Sequence, residues 1–211
     1  MPGLLCHFAA ARRGDHLKTG RCLLVLLSCL YIAVSSRHAL AQSAPGPISI
    51  LEGLVVGVSE GDRITINCLG TEIPVRLYGV AAPQTVKIDK FTGWYKTGQP
   101  YAEDAFRALS TKILHQQVRV EIRDVVDIKK GDPSGLAVAV VLYDGRNINL
   151  EMLTEGWGWV FAKSLNRADL AQYQAAERQA RARKNGLWIQ DNPVPPWHFQ
   201  PRLRAVVKRP A

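Results

Sequence analysis

Histidine and cysteine are scarce in this chain, and their scarcity closes off whole classes of chemistry. Of four cysteines, Cys6, Cys22 and Cys29 stand near the N-terminus and Cys68 is alone in the remainder. A single thiol makes no internal disulfide and no zinc cluster. Cys68 continues the alternating run Ile64-Ile66-Cys68, which predicts a packed core residue, not a reactive nucleophile. After residue 41 the histidines are His115 and His198, far apart in sequence, so neither a histidine metal site nor a histidine base has support. Long apolar runs are also lacking. The run 22–35 (CLLVLLSCLYIAVS) has 14 residues, short of the roughly 20 that cross a bilayer.

That run has another use. It follows Arg12, Arg13, Lys18 and Arg21 and precedes Ala39-Leu40-Ala41. A basic region, a short apolar region and a small-residue site make up a secretory signal peptide. Residues 1–41 are therefore expected to be removed and the protein exported, to the periplasm or the medium. A retained anchor and a lipid on Cys29 are the alternatives. What remains suits a single domain, with 42–50 as linker, 51–190 folded, and 191–211 a proline-rich basic tail. A monomer is expected.

Charge is unevenly placed. Residues 52–177 hold 14 Lys and Arg against 16 Asp and Glu, whereas residues 178–211 hold eight bases against Asp191 alone. Arg178, Arg181 and Lys184 read as one stripe on a last helix. They either complement its dipole or form an anion-binding surface for nucleic acid or membrane headgroups. Arg202 and Arg204, with Lys208 and Arg209, extend that surface into a solvated tail. Four such cations on a single strand set a salt slope of up to roughly 3 units. Deleting residues 202–211 should therefore flatten the slope and disturb folding little. Trp94 and Tyr95 are candidate stacking residues; Trp157, Trp159, Trp188 and Trp197 read as packing residues.

Period-two runs at 48–58, 62–69 and 72–80, separated by Ser59-Glu60-Gly61 and Gly70, predict three strands in meander. A long loop, 81–98, follows. Ala102, Ala105, Phe106, Leu109, Ile113 and Leu114 then mark one face of a helix. Strands are predicted at 118–126 and 136–143, a short helix at 149–155 and a last helix at 168–184 stopped by Asn185-Gly186. The fold class is α+β, mainly β: a five-stranded barrel of the oligonucleotide/oligosaccharide-binding (OB) type with three helices.

Several strings carry more than periodicity. Gly61-Asp62, Val75-Arg76-Leu77-Tyr78-Gly79-Val80, Gly98-Gln99-Pro100-Tyr101, Gly135-Leu136-Ala137 and Asp144-Gly145-Arg146-Asn147-Ile148-Asn149 occur in that order. Gly186-Leu187-Trp188 and Pro195-Pro196-Trp197 close the series. Together they resemble the staphylococcal nuclease (thermonuclease) family over about residues 50–198.

The resemblance implies a phosphodiester-hydrolysing site built from calcium, carboxylates and two arginines. The chemistry requires them: cations must surround the charge gathering on phosphorus, and a carboxylate must take a proton from water. Asp62 matches the first calcium carboxylate and Arg76 the first phosphate-binding arginine. The second calcium carboxylate, the general base and the second arginine fall at Ala81, Gln84 and Ser134, none of which can do that work. Losing a general base costs about 10² to 10⁴ in rate, and losing a charge-stabilising donor about 10² to 10³. The expectation is an impaired or non-hydrolytic domain that needs no cofactor and at most binds calcium weakly. Its partner is single-stranded nucleic acid, another anionic surface, or a protein. A working phosphodiesterase with a rearranged site and a structural cell-envelope module are the alternatives.

Three local features bear on these alternatives. Glu60 and Asp62 flank Gly61 as either solvated turn acids or a weak cation site. Asp127, Lys129, Lys130 and Asp132 lie in the loop bordering the family's site, where a carboxylate or cation would have to return. Arg76 reads equally as a phosphate ligand and as an ion-pair partner of Asp62 or Glu72. The leader reading is checked by N-terminal mass spectrometry of exported material. The mature chain is expected to begin at Gln42; Met1 retained, or lipid on Cys29, would refute it.

Overall fold

Period-two burial builds a barrel in the computed structural model, which describes residues 47–89, 91–126 and 135–205. The leader, the loop 127–134 with Ser134, and the last six residues with Lys208 and Arg209 lie outside the described residues. Five strands form the barrel: β1 (Ser49–Glu60), β2 (Arg63–Cys68), β3 (Thr71–Leu77), β7 (Gln117–Val126) and β8 (Leu136–Tyr143). β1 pairs antiparallel with β7 along its first half and with β2 along its second, changing partner at Leu54. Two register shifts, at Val55/Gly57 and Val58/Glu60, let so long a strand bend around the corner. β2–β3 and β7–β8 are antiparallel, and a parallel pairing of Val75, Arg76 and Leu77 with Ala137, Val138 and Ala139 closes the ring. The five-stranded closed barrel is the architecture the sequence predicts.

Ile64 and Ile66 from β2, Val75 and Leu77 from β3, and Val118 and Val120 from β7 alternate into the interior. Each such side chain contributes about 1.5–3 kcal/mol by leaving water. β8 is buried at five successive positions, Ala137–Val141. Helix α1 (Ala102–Ile113) lies between β3 and β7 in sequence and buries Ala102, Ala105, Leu109 and Ile113 at helical spacing. Helix α2 (Ile148–Thr154) is capped by Asn147, whose side chain accepts from the Leu150 N–H, and it buries Met152 and Leu153.

Helix α3 (Arg167–Ala182) starts at Asn166, whose side chain accepts from the Asp169 N–H, and it ends two residues short of the expected 184. Lys184 adopts a left-handed backbone (φ 53°), which lets the Asn185 N–H donate to the Ala180 carbonyl at 3.0 Å. Lys184 is therefore the residue that terminates the helix, and it does not continue a stripe with Arg178 and Arg181. A second, smaller core gathers Trp159, Ala180, Leu187 and Trp188. Cys68 is only half-buried, so it is not the core residue predicted; Trp197 is 48% exposed and packs at the surface.

The stretch expected to be one loop carries three short strands: β4 (Val80–Ala81), β5 (Lys87–Ile88) and β6 (Trp94–Lys96). β4 pairs with β10 (Trp159–Val160), which follows β9 (Arg146–Asn147), the end of the barrel sheet. β6 pairs with β5 on one side and, on the other, with β11 (Leu203–Ala205). The tail expected to be a solvated appendage is in this part a strand. Three residues are too few to display a period, and the pairing partner lies about a hundred residues away.

Asn149 holds the closure of the barrel. Its buried side chain accepts from the Val141 N–H at 2.9 Å and donates to the carbonyls of Tyr78 and Ala139 at 2.9 and 3.0 Å. Asn149→Ala leaves buried backbone groups unpaired and is expected to cost about 3 kcal/mol, read as the loss of unfolding free energy in urea. A cost below about 1 kcal/mol would show that the closure does not depend on it.

Candidate functional site

Gly61 allows the site to form. A Cβ there would sit 2.7 Å from the Ala105 Cβ and 2.9 Å from the Ala82 Cβ, so only glycine lets the β1–β2 turn press against α1 and the Ala82 side chain. The next residue, Asp62, is thereby buried to 2% exposure. Arg76, on the outward face of β3 between Val75 and Leu77, reaches it. Its Nε donates to Asp62 Oδ2 at 3.1 Å, and its Nη2 lies 3.1 Å from the same oxygen. Of the five guanidinium hydrogens, three are left for another acceptor. The Arg76 side chain is 30% exposed, its guanidinium carbon 5.7 Å from the centre of the Phe161 ring. Arg76, Asp124, Phe161, Lys163 and Ser164 line a cleft of ≈ 210 Å³. Its two cations outnumber the one carboxylate, and with the aromatic ring and the hydroxyl they suit a phosphate with an attached base.

Burial pushes the Asp62 carboxyl above its ordinary 3.8; the Arg76 charge opposes this, and Glu60 adds to the rise. Burial outweighs the pair because the side chain has almost no water left to solvate its charge. Glu60 is turned to other work, 3.4 Å from Arg63 and 3.1 Å from Lys87. The described residues thus offer calcium one buried carboxylate already bonded to arginine, where the ion wants six to eight oxygens. No group of three His, Cys, Asp or Glu side chains able to hold a metal occurs among the described residues. This donor set does not fit calcium.

Ala81 is buried in β4 opposite Trp159. The Gln84 amide Nε2 donates to the Pro196 carbonyl at 3.1 Å. Beside it, Gln99 accepts from the Gln84 N–H at 2.8 Å and donates to the Val194 carbonyl at 2.9 Å. Trp197, on the segment so held, packs against Phe161 with centroids 5.9 Å apart. The structure brings Asp62 and Arg76 together and ties Gln84 to the C-terminal segment. Sequence reasoning missed Gln99, Phe161 and Lys163; the Gly98-Gln99-Pro100-Tyr101 string was the available signal for the first.

The predicted basic stripe does not reach this cleft as a unit. Arg181 is stacked 4.1 Å over Trp188 and paired with Glu177 at 3.2 Å, Arg178 is exposed on α3, and Lys184 is exposed past the helix end. Arg202 and Arg204 lie on and beside β11 instead.

The raised Asp62 value fixes a sign. As pH rises past 3.8, the unfolded chain releases this proton before the folded one does. Folded stability is therefore full below that pH and falls as pH climbs through the raised folded value. Asp62→Asn has no proton to lose. Its stability relative to the parent should increase from acid toward neutral pH in urea titrations; a relative decrease would mean that the arginine pair dominates.

The chain has relatives among known proteins. The family model described as staphylococcal nuclease homologue matches residues 74–190. An "Uncharacterized endonuclease" of Haemophilus influenzae is 30% identical over 153 residues, 71% of this chain and 74% of that protein. A "Micrococcal nuclease" of Shigella flexneri is 28% identical over 173 residues, 80% of this chain and 90% of its own length. A "Probable endonuclease LCL3" of Leptosphaeria maculans is 31% identical over 167 residues, 75% of this chain; the chain spans 50% of the fungal protein. The chain belongs to the staphylococcal nuclease family.

Proposed function

We propose that this chain is an exported nuclease-type domain that binds nucleic acid and hydrolyses it feebly or not at all. One observation carries the reading. Gln84, at the position the family resemblance gives to the general base, spends its side-chain amide on the Pro196 carbonyl. An amide cannot accept a proton from water, and this one is already engaged in holding the C-terminal segment. The buried Asp62, alone and bonded to Arg76, supports the same conclusion from the metal side. Arg76 and Lys163 remain to receive a phosphate, beside the ring of Phe161. Binding without hydrolysis needs only these cations and rings; cleavage also needs a base and a stabilised attacking water. A second reading, a calcium-dependent phosphodiesterase with a rearranged site, rests on the endonuclease names of the relatives.

Purified protein incubated with single-stranded DNA, with and without calcium, decides between them. Hydrolysis is expected to be absent or at least roughly 10⁴ below an intact family member. Calcium-dependent cleavage that disappears in Asp62→Ala would overturn the proposal in favour of the second reading.

A further inference from the structure

Beside the barrel, the three-stranded sheet β5–β6–β11 has a face whose chemistry the Asp62–Arg76 cleft does not use. Its register places Lys87 opposite Lys96 and Lys96 opposite Leu203. Alternation puts Trp94 on that same face. Lys87, Thr92, Trp94, Lys96 and Leu203 line an open cleft of ≈ 560 Å³, a ligand-sized volume. Trp94 is 44% and Leu203 59% exposed, and Phe91, on the turn joining β5 to β6, is fully exposed. Exposed rings and apolar side chains gathered on one face mark a contact surface. Lys96, Arg202 and Arg204 form no ion pair among the described residues. Lys87 meets Glu60 at 3.1 Å. The acid of this face, Asp89, is committed: its carboxylate accepts from the N–H groups of Phe91 and Thr92 at 2.9 and 3.2 Å.

The face is also held in place. Arg202 N–H donates to Thr97 Oγ1 at 3.0 Å and Thr97 N–H to the Arg202 carbonyl at 3.0 Å. Upstream, Gln84 and Gln99 grip the carbonyls of Pro196 and Val194. The residue standing where the family resemblance puts the general base thus anchors the segment that completes this sheet.

We propose that the face carrying Lys87, Trp94, Lys96 and Leu203 docks single-stranded nucleic acid, with bases stacked on Trp94 and phosphates met by Lys96. The inference deepens the nucleic-acid reading above and rests on it. Lys96, without an ion pair among the described residues, and Lys87 next to it stand beside an exposed indole, an arrangement that matches a chain of phosphates carrying flat bases. A duplex keeps its bases stacked on one another and offers that ring nothing. The Lys87–Glu60 contact links this sheet to the turn that carries Asp62.

The test is fluorescence anisotropy of a labelled oligothymidylate of about a dozen nucleotides, the length one such barrel covers, titrated with the protein at several salt concentrations. Trp94→Ala is expected to weaken binding about ten-fold or more, whereas Trp94→Phe, which still stacks, keeps most of the affinity. Lys96→Ala should reduce the slope of log K against log salt by about 0.7. These side chains are exposed, so urea unfolding should match the parent protein and separate lost binding from lost fold. Parental binding with unchanged affinity in Trp94→Ala and unchanged slope in Lys96→Ala would overturn this face while leaving the nucleic-acid reading standing. No binding by the parent protein at low salt would end both. Equal affinity for a duplex of the same length would remove the stacking argument. Trp94-dependent binding to phosphatidylserine vesicles, with none to the oligonucleotide, would assign the face to lipid.

Discussion

The barrel closes through a parallel pairing of β3 with β8, and the buried amide of Asn149 secures it by answering Val141, Tyr78 and Ala139 at once. Parallel neighbours cannot be joined by a tight turn, so everything between them in sequence must be accommodated elsewhere. β4, β5, β6, α1 and β7 lie in that interval. Closure sets Arg76 opposite Val138 on the outer face of the ring, where the Asp62 turn comes up beside it. The same closure leaves Tyr78 beneath α3, where its ring meets Tyr173 edge-on at 6.0 Å. Gly79, with φ at +73°, turns the chain away because a Cβ there would strike the Tyr173 ring. One amide therefore governs the mouth of the barrel and the seat of the last helix together.

Gln84 and Gln99 organise a second level of structure. They bond to each other through backbone and side chain and then to Val194 and Pro196. A proline-rich segment has few N–H groups to offer a sheet, but its carbonyls remain available, and two glutamine amides use them. Trp197 then rests on Phe161, and Phe161 lies beside Arg76. The C-terminal segment is thus in contact with both the Arg76 cleft and the outer sheet, and Gln84 holds it through Pro196.

The cations divide by what surrounds them. Arg76 is bound to a buried carboxylate, and Arg181 is flattened on an indole and paired with Glu177. Lys112 lies between Glu151 and Glu155 at 2.9 and 2.6 Å, tying α1 to the end of α2. These are structural uses of charge. Lys96, Arg202 and Arg204 carry none of these ties among the described residues, and they lie together on the sheet to which the tail contributes.

Much of the fold was legible because burial repeats. Ile64 and Ile66, Val118 and Val120, and the 102–113 face alternate or recur at the spacing their elements impose, so local sequence determined five strands, the order of the helices and the barrel class. The short motifs likewise located Asp62 and Arg76 and exposed the missing carboxylates at Ala81 and Gln84. What local sequence could not carry was pairing at a distance. β4, β5, β6, β10 and β11 have two or three residues each, too short for any period; β5 pairs locally with β6, but β4, β10 and β11 exist because a partner far along the chain satisfies their backbone groups. The same limit hid the second role of Gln84, since its acceptor is a carbonyl 112 residues away. The left-handed turn at Lys184 was equally out of reach, because Gly186 two residues on is the residue composition favours for it. Sequence by itself determined the barrel and the residues that stand at the family's motif positions; only the tertiary structure decided where the tail goes, because backbone hydrogen bonds between distant segments leave no periodic trace in either of them.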